Sequence, residues 1–366
     1  METEKRDRPR FFEISLLNVF LCLLVIFIHA SSKPVTSLDK SSLSYLIIML
    51  PWRLSAFVVY GFIFLSGLKL FMTKSDGFSY RKFLLGRLRS IIIPYILWVL
   101  VYYIYFCIKN YFPFRLLNLA HYVLVGDLVG HFYFVIAIVQ LYLFAPLWIK
   151  LIKKVSGAFL IPISLILTII LAQNLPDIIA LIKPDYYFPY TDRVFTTYLF
   201  YWISGCYAGL NYEKFKEALY ANRAFITIFF AAFSFTNALL SYISFSGKKY
   251  IPWLENVHVA YSMSAILFSF ALALRLTDKL QAKSAIVRLT NKVDRASYGI
   301  YLSHFLILFL TDDVLSKFTN LSMGINFLIR LFAVYVFSIS VCLLWRNSVL
   351  YRIKKIALSR SVDPPS

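Results

Sequence analysis

Long apolar stretches follow one another along most of the chain and are separated by short polar segments. Each stretch can cross a hydrocarbon core of about 30 Å as a helix, because a membrane helix needs about 20 mostly apolar residues. The pattern predicts an all-α, polytopic membrane protein with about ten transmembrane helices. The predicted spans are residues 14–32, 46–68, 90–108, 129–149, 157–175, 194–212, 222–245, 256–275, 297–315 and 323–345.

The basic residues between these stretches predict the orientation of the helices. Of the 38 Lys and Arg residues, 27 fall on the side of the two termini and 11 on the opposite side. Lys and Arg collect on the cytoplasmic side of membrane proteins, so both termini are predicted to be cytoplasmic. We expect residues 1–366 to form a single transmembrane domain, with spans over 14–345 and a short basic cytoplasmic tail over 346–366.

Composition supports the bilayer as the solvent of this chain and argues against other classes. Apolar residues make up 60% of the sequence, whereas soluble domains contain roughly 45–50%. A net charge of +20 would suggest nucleic acid in a soluble protein, but these cations flank predicted spans, where anionic lipid explains them. No nucleic-acid partner is expected. The four cysteines all lie inside apolar stretches without a metal-ligand spacing, so no metal is expected either.

His29 lies at the end of the first apolar stretch, where an ionisable side chain is costly. It follows Phe11 by 18 residues, which places it roughly 27 Å further along a helix, near the outer leaflet. A neutral imidazole there can act as general base toward a hydroxyl or as a transient acyl carrier. The alternative is a histidine that is hydrogen-bonded at the membrane interface, and this residue alone does not separate the two.

Four cations precede the third predicted span: Arg81, Lys82, Arg87 and Arg89. The positive-inside rule accounts for some of this charge without any further role. Guanidinium groups beside the start of a helix also bind phosphate well, since they grip it with two parallel hydrogen bonds. The cluster therefore has a topological and a phosphate-binding interpretation.

Other polar groups lie within the predicted spans. His131 opens the fourth span, and Asp127 four residues earlier can orient its imidazole if the helix extends back that far. His304 lies seven residues into the ninth span, while His258 and Arg330 have no obvious partner in the sequence. Hydrogen bonding between helices is the alternative explanation for each of these groups.

Five segments, in this order, resemble the integral-membrane acyltransferase family three, the ten-helix O-acyltransferases of bacterial envelopes. The resemblance maps His29 onto the family's catalytic histidine and Arg87 onto the basic start of its third helix. His131 and His304 fall in two further family blocks. The segments are FFEISLLNVFLCLLVIFIHAS, GFIFLSGLKL, YRKFLLGRLRSIIIPYILW, HFYFVIAIVQLYLFAP and SYGIYLSH.

The resemblance implies a protein of the bacterial cytoplasmic membrane that takes an acyl group from acyl-CoA, with acetyl-CoA as the expected donor. The family pattern has an arginine eleven residues before the catalytic histidine and an aspartate three residues before that arginine. The sequence departs from the pattern at both positions. Those positions hold Asn18 and Ser15. The second arginine of the third-helix pair is replaced by Ser90, with Arg89 beside it.

Two functions from different classes follow from the same residues. The first is an O-acetyltransferase of lipid-linked or surface polysaccharide, in which His29 is the base or acyl acceptor and Arg87 with Arg89 neutralises coenzyme A phosphates. The second is a polysaccharide export protein, since YWISGCYAGLNYEKF resembles part of poly-N-acetylglucosamine exporters. A non-catalytic partner of glycan-assembly proteins is a third interpretation. Retained histidines favour the enzyme, and missing arginines favour the others.

Overall fold

A computed structural model describes residues 11–72, 78–280, 284–318 and 321–360, and every regular element in these ranges is helical. The basic segment 1–10 and the last six residues of the predicted tail lie outside the described residues. The helices are α1 (Phe12–Ser37), α2 (Leu43–Ser55), α3 (Val58–Met72), α4 (Tyr80–Arg87), α5 (Ile93–Ile108), α6 (Leu116–Val125), α7 (Tyr133–Leu143), α8 (Ala145–Lys154), α9 (Gly157–Ile182), α10 (Leu199–Leu210), α11 (Tyr212–Ala221), α12 (Arg223–Phe245), α13 (Leu254–Lys279), α14 (Ala285–Leu315) and α15 (Met323–Arg360).

The all-α, polytopic prediction is confirmed, but the number of spans is not ten. Among the described residues, eight helices are long and apolar enough to cross a membrane, or nine if one bent pair counts as a span. Two of the eight combine shorter elements, since α2 with α3 and α4 with α5 each act as one span. The chain divides into two compact units, which we call the terminal unit (Met1–Asp39 and Ala273–Ser366) and the central unit (Lys40–Leu272).

The predicted sixth span, residues 194–212, is wrong as a full crossing. Two 3₁₀ turns, Thr191–Arg193 and Phe195–Tyr198, precede a 12-residue α10. A helix of that length is about 18 Å long, which is too short for a hydrocarbon core of about 30 Å. A hydropathy window adds up apolar side chains and does not measure how far a helix continues.

The apolar character of α10 is explained by its packing against α3. A Cβ added to Gly205 or Gly209 would overlap the backbone carbonyl of Phe64 or Leu68, and one added to Gly67 would lie 2.6 Å from the carbonyl oxygen of Trp202. Glycines that let two backbones approach this closely are typical of helix pairs in membranes. The two helices therefore form one tightly packed layer of the central unit.

The predicted fourth span, residues 129–149, is a bent pair of helices. The axes of α7 and α8 meet at an angle of 60° around Phe144. Pro146 lies in the first turn of α8, where its missing N–H costs no helical hydrogen bond. Pro146 is therefore tolerated at the start of α8. It has no N–H to donate to a carbonyl oxygen of α7, so α7 does not continue as a straight helix into α8.

The terminal unit packs α1, α14 and α15 against one another. Leu21 and Ile26 of α1, Ile300 of α14 and Val334 of α15 are buried. The Tyr335 hydroxyl on α15 donates to the carbonyl oxygen of residue 23 at 2.8 Å. Two helices therefore hold α1 along its length, and α1 carries the first histidine of the chain.

Candidate functional site

The helices α1 and α14 run parallel and in register within the terminal unit. Asn18 contacts Asp294, and further along both helices the ring of His29 lies beside that of His304. The two ring centroids are 5.2 Å apart, and the ring planes are tilted by 34°. The structure thus brings together two histidines that the sequence singled out separately.

The local backbone fixes the tautomer of His304. Its ring is fully buried, and Nδ1 lies 2.6 Å from the carbonyl oxygen of Tyr301, about one helical turn earlier. A carbonyl oxygen only accepts hydrogen bonds, so Nδ1 carries the hydrogen and donates it. The lone pair of the neutral ring is then on Nε2. The ring of Phe305 lies 4.5 Å from that of His29, centroid to centroid, and forms an apolar edge of the pair.

Arg330 of α15 joins the end of α1 to α14 close to His29. Its Nε lies 2.8 Å from one carboxylate oxygen of Asp312, and its Nη2 donates to the other at 3.1 Å. Its Nη1 donates to the carbonyl oxygen of Ala30 at 2.9 Å. The arginine is 3% exposed. The guanidinium therefore contacts both the carboxylate of Asp312 and the backbone of α1, and it holds the backbone next to His29 in place.

Two of the positions at which the sequence departs from the family pattern, Ser15 and Asn18, form a second contact between α1 and α14. Ser15 Oγ donates to Asp294 at 2.9 Å, and Asn18 Nδ2 donates to the other oxygen of that carboxylate at 2.7 Å. Asn18 Nδ2 also lies 2.9 Å from the hydroxyl oxygen of Ser297. The neutral side chains of Ser15 and Asn18 thus donate hydrogen bonds to both oxygens of the Asp294 carboxylate on α14, and the two helices stay in contact without the family's arginine and aspartate.

Arg87 and Arg89 belong to the central unit and have different surroundings. The Arg87 guanidinium lies over the rings of Phe83 and Tyr142, 5.0 Å and 4.5 Å from their centroids. Arg89 is exposed, within a π-helical turn over Leu88–Ile92. Stacking on rings leaves the N–H groups at the edge of a guanidinium available. The prediction that these residues bind phosphate stays a prediction.

Asp127 does not lie on the same helix as His131. The Gly126 backbone has φ +71°, a left-handed conformation that ends α6, and α7 starts only at Tyr133. The condition for Asp127 to orient His131 through a helix is therefore not met. Asp127 instead lies 3.2 Å from Nε2 of His121. His131 is 2% exposed and packs against the rings of Tyr102 and Phe132.

A buried arginine in the central unit was not recognised from the sequence. Arg53 of α2 pairs with Glu255 of α13 at 2.9 Å and donates to Ser241 Oγ of α12 at 3.1 Å. Its position within the predicted second span, where a cation is costly, could have indicated a buried partner. His258, one turn after Glu255, is 2% exposed and packs against Tyr60, with 6.0 Å between ring centroids. These contacts join three helices, as polar groups inside membrane proteins often do.

The pair of histidines offers the most direct chemistry among the residues described. Imidazole takes up and releases protons near neutral pH and can also accept an acyl group. Within the described ranges, no group of three His, Cys, Asp or Glu side chains is arranged to hold a metal ion. The arrangement is thus suited to proton transfer or nucleophilic transfer by imidazole on a helical membrane scaffold.

The helices define a multi-pass membrane protein, and its terminal unit places two imidazole rings side by side. A family model described as an acyltransferase domain matches residues 11–346, nearly the whole chain, and the chain belongs to this acyltransferase family. No curated protein and no solved structure matches it. The resemblance that the five segments predicted is therefore confirmed.

Proposed function

We propose that this membrane acyltransferase is an O-acetyltransferase that transfers an acetyl group from acetyl-CoA to a hydroxyl of a surface or lipid-linked polysaccharide. The observation that carries the proposal is the contact between His29 and His304, with the backbone beside His29 held by Arg330. An alcohol is a poor nucleophile at neutral pH, so transfer to it needs a base or an activated acyl carrier.

In the proposed reaction, His29 takes the proton of the sugar hydroxyl as its oxygen attacks the thioester carbonyl. The new carbon–oxygen bond forms, the carbon–sulfur bond breaks, and the proton goes to the departing thiolate. The products are an O-acetyl ester and coenzyme A. His304 lies beside this base. Nε2 of its neutral ring carries a lone pair, so in the proposed reaction it accepts a hydrogen bond from the His29 ring and stabilises the positive charge that His29 gains. Phe305 keeps one edge of the His29 ring apolar.

Donor binding in this proposal falls to Arg87 and Arg89. Coenzyme A carries several phosphates, and guanidinium groups bind phosphate through paired hydrogen bonds. Arg87 is held over two aromatic rings, so little side-chain freedom is left to lose on binding. Arg89 is exposed on the next π-helical turn, and among the described residues it forms no ion pair.

Replacement of both arginines by glutamine should weaken binding of coenzyme A by at least about tenfold, since charge-assisted hydrogen bonds contribute about 1.5–3 kcal/mol each. Double replacement by lysine should restore binding only partly, because an ammonium group cannot form the bidentate contact. Titration calorimetry of the purified protein measures both effects. The matched control is Arg81→Gln with Lys82→Gln in the same basic segment. Normal binding by the Arg87, Arg89 double variant would leave these residues as topological determinants only.

Mass spectrometry of the surface polysaccharide, with and without the gene, tests the proposed activity. Loss of an ester from a polymer of normal amount supports acyl transfer. Polymer of unchanged chemistry that is retained inside the cell would instead identify an export protein, the alternative that the missing arginines favour. An unchanged polymer in unchanged amount would contradict both functions.

The predicted orientation with both termini in the cytoplasm requires an even number of crossings. The eight long helices satisfy this number. Ten crossings would also satisfy it, but they require α10 to traverse the membrane, and this helix is too short to do so. We therefore expect eight crossings, with the loop between α8 and α9 on the outer side. Lys150, Lys153 and Lys154 then lie against the usual preference of basic segments for the cytoplasm, so this loop is the place to test the arrangement.

Cysteine labelling distinguishes the two arrangements. A Ser156→Cys variant should react with an impermeant maleimide in intact cells, while reporters fused to both termini give cytoplasmic signals. The parent protein, whose Cys107 is partly exposed, supplies the labelling background. Protection of residue 156 in intact cells, with labelling only after lysis, would contradict eight crossings and show that the bent pair crosses the membrane. An outside signal from one terminus alone would contradict an even number.

A further inference from the structure

The central unit contains a cavity of about 430 Å³ between α3, α9, α10, α11 and α13. Its wall is formed mostly by carbon atoms of apolar side chains, among them Phe64, Ile161, Phe200, Met263 and Leu267. This volume falls within the range of about 300–1,000 Å³ typical of ligand sites. No residue of the histidine pair lines it, so the proposed acyl transfer does not account for it.

The cavity runs from the interior to the protein surface. Phe64 and Ala208 in the buried part of its wall are 1% and 7% exposed, whereas Asn211 and Lys214 are exposed. The mouth is therefore at the junction where α10 ends and α11 begins. A ligand that fills the cavity passes the hydroxyl group of Ser204 in an otherwise largely apolar wall, and it reaches a charged group only at this junction.

The mouth of the cavity favours a negative charge. Lys214 lies in the first turn of α11, where the helix dipole adds partial positive charge. Asn211 at the N-cap gives that turn no side-chain hydrogen bond, so the first N–H groups of the helix are not capped there. The nearby carboxylate of Glu213 is paired with Lys216 at 2.7 Å, which offsets its charge. Among the described residues, Lys214 forms no ion pair of its own.

We infer that this cavity binds one acyl chain of an anionic phospholipid, whose phosphate lies at Lys214 and the start of α11. An apolar interior with a single cation at its mouth matches the shape and charge of such a lipid. The pantetheine arm of coenzyme A fits less well, because the hydroxyl of Ser204 cannot satisfy all the donors and acceptors of its two amides in an otherwise largely apolar wall. The inference does not depend on acyl transfer, since it concerns a site lined by different residues.

Native mass spectrometry of the full-length protein in detergent tests the site with phosphatidylglycerol and phosphatidylcholine of identical chains. The parent protein should retain one phosphatidylglycerol in preference to phosphatidylcholine. Lys214→Gln should reduce that preference by about fivefold, the contribution of one basic residue near an anionic lipid. The matched control is Lys216→Gln on the same helix, which should keep the preference because Lys216 is already paired with Glu213.

Ala208→Phe places a large side chain in the buried end of the cavity and should lower retention of both lipids. If this variant fails to fold, the comparison of Lys214→Gln with Lys216→Gln still decides the question. Equal lipid preference in those two variants would overturn the inference and indicate non-specific lipid on the protein surface. Displacement of the bound lipid by equimolar polyprenyl phosphate would also overturn it, since the occupant would then be a carrier lipid.

Discussion

Replacement of His29 by glutamine should lower acetyl transfer by at least about 10²-fold, the typical contribution of a positioned general base. Glutamine keeps hydrogen-bonding groups at this position but cannot take up a proton from a sugar hydroxyl. His29→Ala should fail to the same extent. The measurement is transfer of radiolabelled acetyl from acetyl-CoA to deacetylated host polysaccharide by purified protein in vesicles.

The matched control for this prediction is His121→Gln. His121 is about half exposed and lies 3.2 Å from Asp127 in the central unit, so the same substitution there should leave transfer close to that of the parent protein. Melting temperatures in detergent should agree among the parent, His29→Gln and His121→Gln. Transfer at the parental rate by His29→Gln would leave His29 as a structural hydrogen-bonding residue and remove the basis of the mechanism.

Replacement of Arg330 by glutamine should destabilise the protein by about 1.5–3 kcal/mol, because it removes the charge-assisted hydrogen bond to Asp312, whose carboxylate is only partly buried. Arg330→Lys should recover only part of this loss, since one ammonium group cannot reach both carboxylate oxygens and the carbonyl of Ala30. Thermal unfolding in detergent measures stability, and labelled acetyl transfer measures activity. Lys317→Gln, at an exposed position beyond the end of α14, is the matched control.

The double variant Arg330→Gln with Asp312→Asn separates stability from positioning. Removal of both charges avoids an unpaired, half-buried carboxylate, so most of the lost stability should return. Activity should stay low, because the carbonyl of Ala30 beside His29 still lacks its guanidinium donor. If activity returned together with stability, Arg330 would support the fold and have no part in holding His29.

The sequence identified both histidines of the site but not their contact. His29 and His304 are 275 residues apart, and hydropathy does not say which helices are neighbours. The partner of Arg330, Asp312, can be inferred from the positions of the two residues within their predicted spans. Asp312 lies near the end of the ninth predicted span and Arg330 near the start of the tenth, so consecutive antiparallel helices bring them to a similar depth. That spacing was the available signal.

The sequence predicted the class of fold well and the number of spans poorly. Apolar windows find segments that are long and apolar enough to cross a membrane, and eight helical segments of the described residues meet that description. They also find α10, whose apolar residues pack against α3 through Gly205 and Gly209. Likewise, Asn18 and Ser15 appeared as losses from a family pattern, because nothing in the sequence shows that Asp294 lies opposite them.

The most direct test of the central claim compares two alleles in a strain that lacks the gene. One encodes the parent protein and the other His29→Gln, and the ester content of the surface polysaccharide is measured by mass spectrometry at equal protein abundance. We expect the parent allele to restore the ester, whereas the His29→Gln strain should export a normal amount of polymer without it. A normal ester content in the His29→Gln strain would contradict acyl transfer by His29, as would polymer retained inside the cell.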